Sequence, residues 1–90
     1  MNRFPFALGR ILITSAVEES IDRPDIDKAL GRHAQGDWGD LNVADCRQNE
    51  LALREGGRLF STYTDRHDTR FYIITEPDHS ATTVLLPNDY

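Results

Sequence analysis

The chain has 90 residues and a formal net charge of −5, with 10 lysine and arginine residues against 15 aspartate and glutamate residues. A chain of this length forms one domain with a small core, so we expect residues 1–90 to be a single domain. The negative charge disfavours direct nucleic-acid binding, which needs a cationic surface opposite the phosphates. The single cysteine, Cys46, excludes an intrachain disulfide and a cysteine-cluster zinc site.

The sequence also predicts where the protein works. The apolar run within residues 1–10 is too short for a secretory signal. No stretch approaches the roughly 20 apolar residues of a membrane span. We therefore expect a cytoplasmic protein that does not bind membranes.

The first predicted elements are a strand and a short helix. Residues 10–14 are apolar and rich in β-branched side chains, which indicates a strand. Ser15 is placed to cap a helix that ends near Ile21, with Glu18 as the capping-box partner. Pro24 is then expected to interrupt the helix.

Two longer helices are predicted next. The first begins at an Asp25 cap and ends near Gln35, before Gly36; its apolar side chains recur at the i, i+3, i+4 and i+7 spacing of one helix face. The second begins at an Asn42 cap and ends near Glu55, where two glycines follow. Its weaker periodicity favours a helix wedged between two apolar surfaces.

The last third of the chain predicts a meander of three short strands, residues 58–64, 70–75 and 82–86, joined by two polar turns. Both faces of the middle strand are apolar, so we expect it to be central. The predicted fold is α+β: an antiparallel sheet, made of the N-terminal strand and the meander, with two or three helices packed on one face. An apolar second face leaves room for a homodimer.

Five acidic side chains lie within ten consecutive residues of the helical region, residues 18–27. Residues 18–55 hold ten acidic and five basic residues and are the acidic part of the chain. Such a surface favours a basic protein partner, because opposite charge accelerates association, or it serves only solubility. The predicted partner-binding residues are Glu18, Glu19, Asp22, Asp25 and Asp27.

The residue pattern indicates no catalytic residue, cofactor or metal site. His33 lies on an apolar helix face and is expected to be packed, and Cys46 is expected to be a buried small apolar residue. The neighbours Asp78-His79-Ser80 share one turn, which does not allow triad geometry. The two acids of residues 36–40 (GDWGD) fall short of a calcium shell, so we expect this segment to be a turn that places Trp38 in the core.

Six short segments between Leu30 and Pro87 occur together in this chain, and the similarity that they carry extends from about residue 8 to the end of the chain. They are Leu30-Gly31-Arg32-His33, Gly36-Asp37-Trp38-Gly39-Asp40-Leu41, Asn49-Glu50, Arg58-Leu59-Phe60-Ser61, Ile73-Ile74-Thr75-Glu76 and Thr82-Thr83-Val84-Leu85-Leu86-Pro87.

With these segments, the chain resembles a family of small bacterial proteins carried on plasmids and integrative elements, mostly labelled hypothetical or plasmid-related. It departs from the family at Pro77 and His79, where alanine and arginine are expected. The resemblance implies a mobile-element context and supplies no catalytic residues.

Three functions are open at this point. The acidic charge favours a non-enzymatic interaction protein of a mobile element, an anti-defence inhibitor that occupies the basic nucleic-acid groove of a host restriction or CRISPR complex. One alternative is a DNA-binding regulator that uses a helix-turn-helix. The other is a small toxin-type ribonuclease, for which the sheet region supplies basic and titratable side chains: Arg58, Arg66, Arg70, His67 and His79.

Overall fold

The computed structural model describes residues 6–90; the first part of the stretch tested for a secretory signal lies outside them. In chain order the elements are β1 (Arg10–Ile13), α1 (Ser15–Ser20), α2 (Arg23–Ala34), α3 (Val43–Glu55), β2 (Leu59–Thr64), β3 (Arg70–Thr75), β4 (Ala81–Leu85) and a short 3₁₀ turn (Pro87–Asp89).

The four strands form one sheet in the order β1-β4-β3-β2. Strands β2, β3 and β4 pair antiparallel, which confirms the predicted α+β fold and the meander. However, β1 pairs with β4 in parallel, so the sheet is mixed and the expectation of a wholly antiparallel sheet is wrong in this one pairing. The physical reason is the connection: three helices separate β1 from the meander, and such a long crossover permits parallel pairing.

The first helix starts with a different cap from the one predicted. Thr14, and not Ser15, is the N-cap residue, because its Oγ1 accepts the Val17 N–H at 3.2 Å. A threonine or a serine can satisfy this position equally well, so the sequence alone does not distinguish them. The predicted capping box at Ser15 is therefore wrong by one residue.

The second helix begins earlier than predicted. Its N-cap is Asp22, and Pro24 lies within the first turn instead of separating two helices. Proline is tolerated there because the amides of the first turn have no intrahelical acceptor. Asp25 is thus a residue of the first turn, and the predicted Asp25 cap is wrong.

The third helix begins and ends as predicted. The Asn42 Oδ1 accepts the Asp45 N–H at 2.8 Å. At the other end Gly56 has φ of 90°, a conformation that favours glycine, and terminates the helix after Glu55.

The main core lies between the sheet and the first two helices. Val17 of α1 and Ile26 of α2 pack on one face of the sheet, against Phe71 and Ile73 of β3. All four side chains are almost fully buried. Burial of this kind supplies roughly 1.5–3 kcal/mol per large apolar side chain, which makes this layer the main source of stability.

A second cluster lies where α3 meets the start of β2. Trp38 is only 5% exposed and packs with Phe6, Ala52 and Leu59. Its indole Nε1 donates to Glu50 Oε2 at 3.2 Å. The predicted core role of Trp38 is therefore confirmed.

The outer edge of β2 is covered by two parts of the chain. The Thr62 N–H donates to the Trp38 carbonyl at 3.3 Å, and the Asp40 N–H donates to the Thr62 carbonyl at 2.8 Å. Further along, the Asn49 side chain of α3 pairs with the backbone of Phe60. Among residues 6–90, no strand or bridge pairs with the outer edge of β1, so the two edges of the sheet differ.

Candidate functional site

The predicted acidic set divides into groups with different surroundings. Glu18 and Glu19 lie on α1 and are exposed. Within residues 6–90 neither of these carboxylates forms an ion pair. Among the described residues, the carboxylates of these two residues are therefore exposed to solvent without a basic partner.

Asp22 and Asp25 are held by an arginine of the β2–β3 turn, 41 residues after Asp25. The Arg66 guanidinium donates to Asp25 through Nε at 3.0 Å and Nη2 at 2.9 Å, and its Nη1 lies 3.5 Å from Asp22 Oδ2. The Arg66 backbone N–H also donates to Asp25, at 3.1 Å. These hydrogen bonds lower the pKa of Asp25 to about 2 and fasten the β2–β3 turn to the start of α2.

Asp27 pairs within its own helix, with the Arg23 Nε at 3.0 Å. Three of the five predicted contact residues are thus partly neutralised by guanidinium groups. Arg66 was not among the predicted contact residues, because its contact with Asp25 depends on the tertiary position of the β2–β3 turn against α2. Within residues 6–90, the members of the set without an ion pair are Glu18 and Glu19.

His33 is fully buried at the centre of a chain of hydrogen bonds. Its Nδ1 lies 2.5 Å from Ser61 Oγ and its Nε2 lies 2.9 Å from Thr75 Oγ1. Thr75 Oγ1 lies 2.7 Å from Thr82 Oγ1, which donates to the Leu8 carbonyl at 2.7 Å.

The number of available protons determines which group donates in each of these hydrogen bonds. Each hydroxyl has one proton. Because the Thr82 proton is used on Leu8, Thr75 must donate to Thr82 and can only accept from His33. The neutral imidazole therefore carries its proton on Nε2, and Nδ1 accepts from Ser61.

This environment makes His33 a structural residue. Burial lowers its pKa to about 4, since the charged imidazolium loses its hydration. His33 and Ser61 are both 0% exposed, so a substrate cannot reach either of them. The prediction of a packed, hydrogen-bonded histidine is confirmed.

The other two histidines lie at opposite ends of the sheet. His67 is in the β2–β3 turn and His79 is in the β3–β4 turn. The six residues of β3 separate the two turns by about 20 Å. They cannot act as acid and base on one substrate bond.

The arginines of the sheet region are also dispersed. Arg66 pairs with Asp25, and Arg70 donates to Thr62 Oγ1 at 2.7 Å on the face away from α1 and α2. Arg58 immediately precedes β2, at the opposite end of that face from Arg70. It donates to the Tyr90 hydroxyl at 2.7 Å. The fold does not gather these three cations into one cleft.

Both acids of the GDWGD segment have partners inside the protein. Arg32 donates to both carboxylate oxygens of Asp37, at 2.8 and 3.2 Å, and lowers the pKa of this carboxyl. Asp40 accepts from the Thr64 hydroxyl at 3.0 Å. These contacts favour the structural interpretation of the segment. The described part of the chain holds no group of three or more histidine, cysteine, aspartate or glutamate residues able to bind a metal.

Cys46 is less buried than predicted. It is partly exposed at the edge of the second cluster, where its thiol lies 3.7 Å from the Leu41 carbonyl. The contacts give it a packing role.

A cleft of about 260 Å³ separates α2 from the β2–β3 turn. Asp65, 7% exposed, lies in its wall; its Oδ1 accepts the amides of His67 and Thr69, both at 2.8 Å, which closes the turn. Its Oδ2 has no hydrogen-bond partner among the described atoms. Three cationic side chains, Lys28, Arg32 and Arg66, line the same cleft together with the carboxylates of Asp25 and Asp65, so the charges there are mixed in sign.

The second face of the sheet carries an aromatic cleft of about 320 Å³. The Phe60 and Tyr72 rings lie 4.9 Å apart, and Tyr90 packs edge-on against Tyr72 at 6.1 Å. Arg58 fastens Tyr90 there through the hydroxyl contact. The predicted apolar second face is thus partly covered by the C-terminal residues. The residues lining the cleft are Leu41, Asp45, Gln48, Asn49, Arg58, Phe60, Tyr72 and Tyr90.

The helix pair that suggested a DNA-binding motif has a different arrangement. Helix α3 packs on β2 through Asn49 and Ala52, at the edge of the sheet. Its solvent side mixes exposed Asp45 and Glu50 with Arg47. A recognition helix needs a cationic face towards the phosphates, and α3 does not present one.

The comparisons with known proteins found no match: no protein-family model, curated protein or solved structure is similar to this chain at a significant level. The resemblance to plasmid-related proteins therefore stays a prediction from the sequence. Of the helices in residues 6–90, none is long and apolar enough to cross a membrane.

Proposed function

We propose that this chain is a non-enzymatic binding protein that docks through α1 on a basic protein surface. The observation that carries the proposal is the pair Glu18 and Glu19, adjacent, exposed and without an ion-pair partner within residues 6–90. In a protein of net charge −5, such a pair is the natural point of contact for a cationic partner.

The neighbouring acids support this surface. Arg66 holds Asp22 and Asp25 in one position, so the start of α2 is pre-ordered beside α1. An ordered charged surface loses less side-chain entropy on binding than a flexible one. The ion pairs within the cluster also mean that Glu18 and Glu19 contribute most of the attraction.

In the mobile-element context that the resemblance implies, a host defence complex with a basic nucleic-acid groove is the first partner to test. The two alternatives receive no comparable support. The separation of His67 from His79 and the dispersed arginines argue against a ribonuclease site. The mixed charge of α3 argues against DNA readout.

Capture from a bacterial lysate with charge-reversal variants tests the proposal. The bait is the full chain, and the test variant is Glu18→Lys with Glu19→Lys. The matched control is Glu55→Lys with Glu76→Lys, which makes the same change in net charge at two other exposed positions. We expect a basic protein to be recovered at low salt, retained by the control and lost with the test variant.

Other results would contradict docking through α1 or favour one of the alternative functions. Equal recovery by both variants, or recovery unchanged between about 0.05 and 0.5 M salt, would remove α1 as the contact surface. A mobility shift with duplex DNA, or cleavage of single-stranded RNA that is abolished by His67→Ala or His79→Ala, would favour one of the alternatives.

A further inference from the structure

The outer edge of β1 is the unprotected side of this sheet. The Arg10 N–H donates to the Ser80 carbonyl and the Thr14 N–H donates to the Val84 carbonyl. Backbone groups alternate in direction along a strand, so those of Ile11 and Ile13 point away from β4. In the part of the chain that the structure describes, nothing pairs with them.

The side chains of this edge are apolar on both faces of the sheet. Ile11 and Leu12 are each 40% exposed, and they lie on opposite faces because they are adjacent in the strand. The β2 edge, by contrast, is covered by the Trp38–Asp40 segment and Asn49. An apolar edge with free backbone groups is a template for another strand.

We propose that a second copy of this chain occupies the edge, with the two β1 strands antiparallel about a two-fold axis at Leu12. In this register Leu12 faces the partner's Leu12, and Ile11 faces the partner's Ile13. The outward backbone groups of both strands then form four hydrogen bonds, and the two sheets join into one of eight strands.

Charge complementarity favours a second copy over another partner. The same register places Arg10 opposite the partner's Thr14. Within one chain, the Thr14 hydroxyl donates to Asp89 Oδ2 at 2.8 Å, so a carboxylate lies at that end of β1. Arg10 and Thr14 of one chain lie about 13 Å apart along the strand, so the Arg10 of a chain is remote from its own Asp89. The two-fold axis brings each Arg10 next to the partner's Asp89, which forms two symmetric ion pairs.

Engineered cysteines test the register, in a Cys46→Ser background. Leu12→Cys places two thiols opposite each other at a non-hydrogen-bonded pair, where the Cα separation of about 4.5 Å suits a disulfide. Ile11→Cys is the matched control: it is equally exposed but faces the partner's Ile13. We expect mild oxidation to cross-link most of the Leu12→Cys protein and little of the Ile11→Cys protein. Equal cross-linking of both, or none, would overturn the proposal.

The mass in solution tests the association itself. Sedimentation of the unmodified protein at tens of micromolar should give twice the chain mass of 10.3 kDa. Ile11→Pro should dissociate the dimer and keep the fold, because the lost N–H faces outward and two of the four intermolecular hydrogen bonds disappear. A monomer at these concentrations would contradict the proposal.

A charge exchange identifies the ion pairs. Arg10→Asp and Asp89→Arg should each weaken the dimer by about tenfold or more, and the double variant should recover most of the affinity. Arg54→Asp, on exposed α3, is the control for net charge and should leave the dissociation constant within about threefold. Failure of the double variant to recover would remove this register.

Discussion

Asn49 and Phe60 exchange two hydrogen bonds, as two strands of a sheet would. The Asn49 Nδ2 donates to the Phe60 carbonyl at 2.7 Å, and the Phe60 N–H donates to the Asn49 Oδ1 at 3.2 Å. Asn49 is only 3% exposed. One amide side chain on a helix thus terminates the hydrogen bonding of the β2 edge.

Replacing Asn49 with aspartate should destabilise the protein by about 1–3 kcal/mol, because the Phe60 carbonyl loses its donor and faces a buried carboxylate. Urea unfolding followed by circular dichroism measures this loss. Gln48→Glu is the control, since it makes the same charge change at the exposed neighbouring position. Equal midpoints for the two variants would show that the side-chain pairing does not stabilise the edge.

The burial of His33 predicts a loss of stability in mild acid. Its pKa is about 4 in the folded protein and near 6.5 when unfolded. The unfolded chain therefore binds the proton first, so stability falls as the pH decreases from 6.5 to 4, by about 3 kcal/mol in total.

The difference in unfolding free energy between the parent and His33→Gln, measured from pH 7 to 4, isolates this effect. The difference should shrink as the pH falls. His67→Gln, at an exposed turn position, should follow the parent. A constant difference for His33→Gln across the range would mean that His33 is not held neutral.

The Arg66 pairing predicts an unusually acidic Asp25. Carbon-detected NMR titration should give a pKa of about 2 for Asp25 in the parent. In Arg66→Gln the pKa should return towards 3.8, since both the guanidinium charge and its hydrogen bonds are lost. The stability from this pair is present above pH 3.8 and is lost as the pH falls towards 2. Arg23→Gln, which removes only the Asp27 partner, should not change Asp25.

Two glycines should respond in opposite ways to alanine. Gly39 has φ of +73°, and an added Cβ would lie 2.1 Å from the Thr62 carbonyl oxygen, so Gly39→Ala should cost at least about 2 kcal/mol. Gly31 lies inside α2 with no atom within 4 Å of an added Cβ, so Gly31→Ala should stabilise by about 0.5–1 kcal/mol. Thermal unfolding of both variants checks this; a stable Gly39→Ala protein would place residues 38–40 away from β2.

Local patterns predicted most of the elements. The meander strands, the Asn42 cap and the helix ends at Gly36 and Gly56 are local properties, and the structure confirms them. The error at Ser15 arose because the neighbouring Thr14 can also cap a helix, and the error at Asp25 arose because Pro24 was expected to interrupt a helix although the first turn tolerates proline. The acidic set was visible as a cluster, but the pairing of Asp25 with Arg66 was not, since Arg66 lies 41 residues from Asp25. The Arg23–Asp27 pair has the local i, i+4 spacing of a helix.

The sequence by itself determined the α+β class, the core role of Trp38 and the packed state of His33, because periodicity and turn residues act over a few neighbours. Only the tertiary structure decided the parallel pairing of β1, the proton position on His33, the Arg66 contacts and which sheet edge is open. Each of these depends on atoms brought together from distant parts of the chain, and no local pattern specifies such a distance.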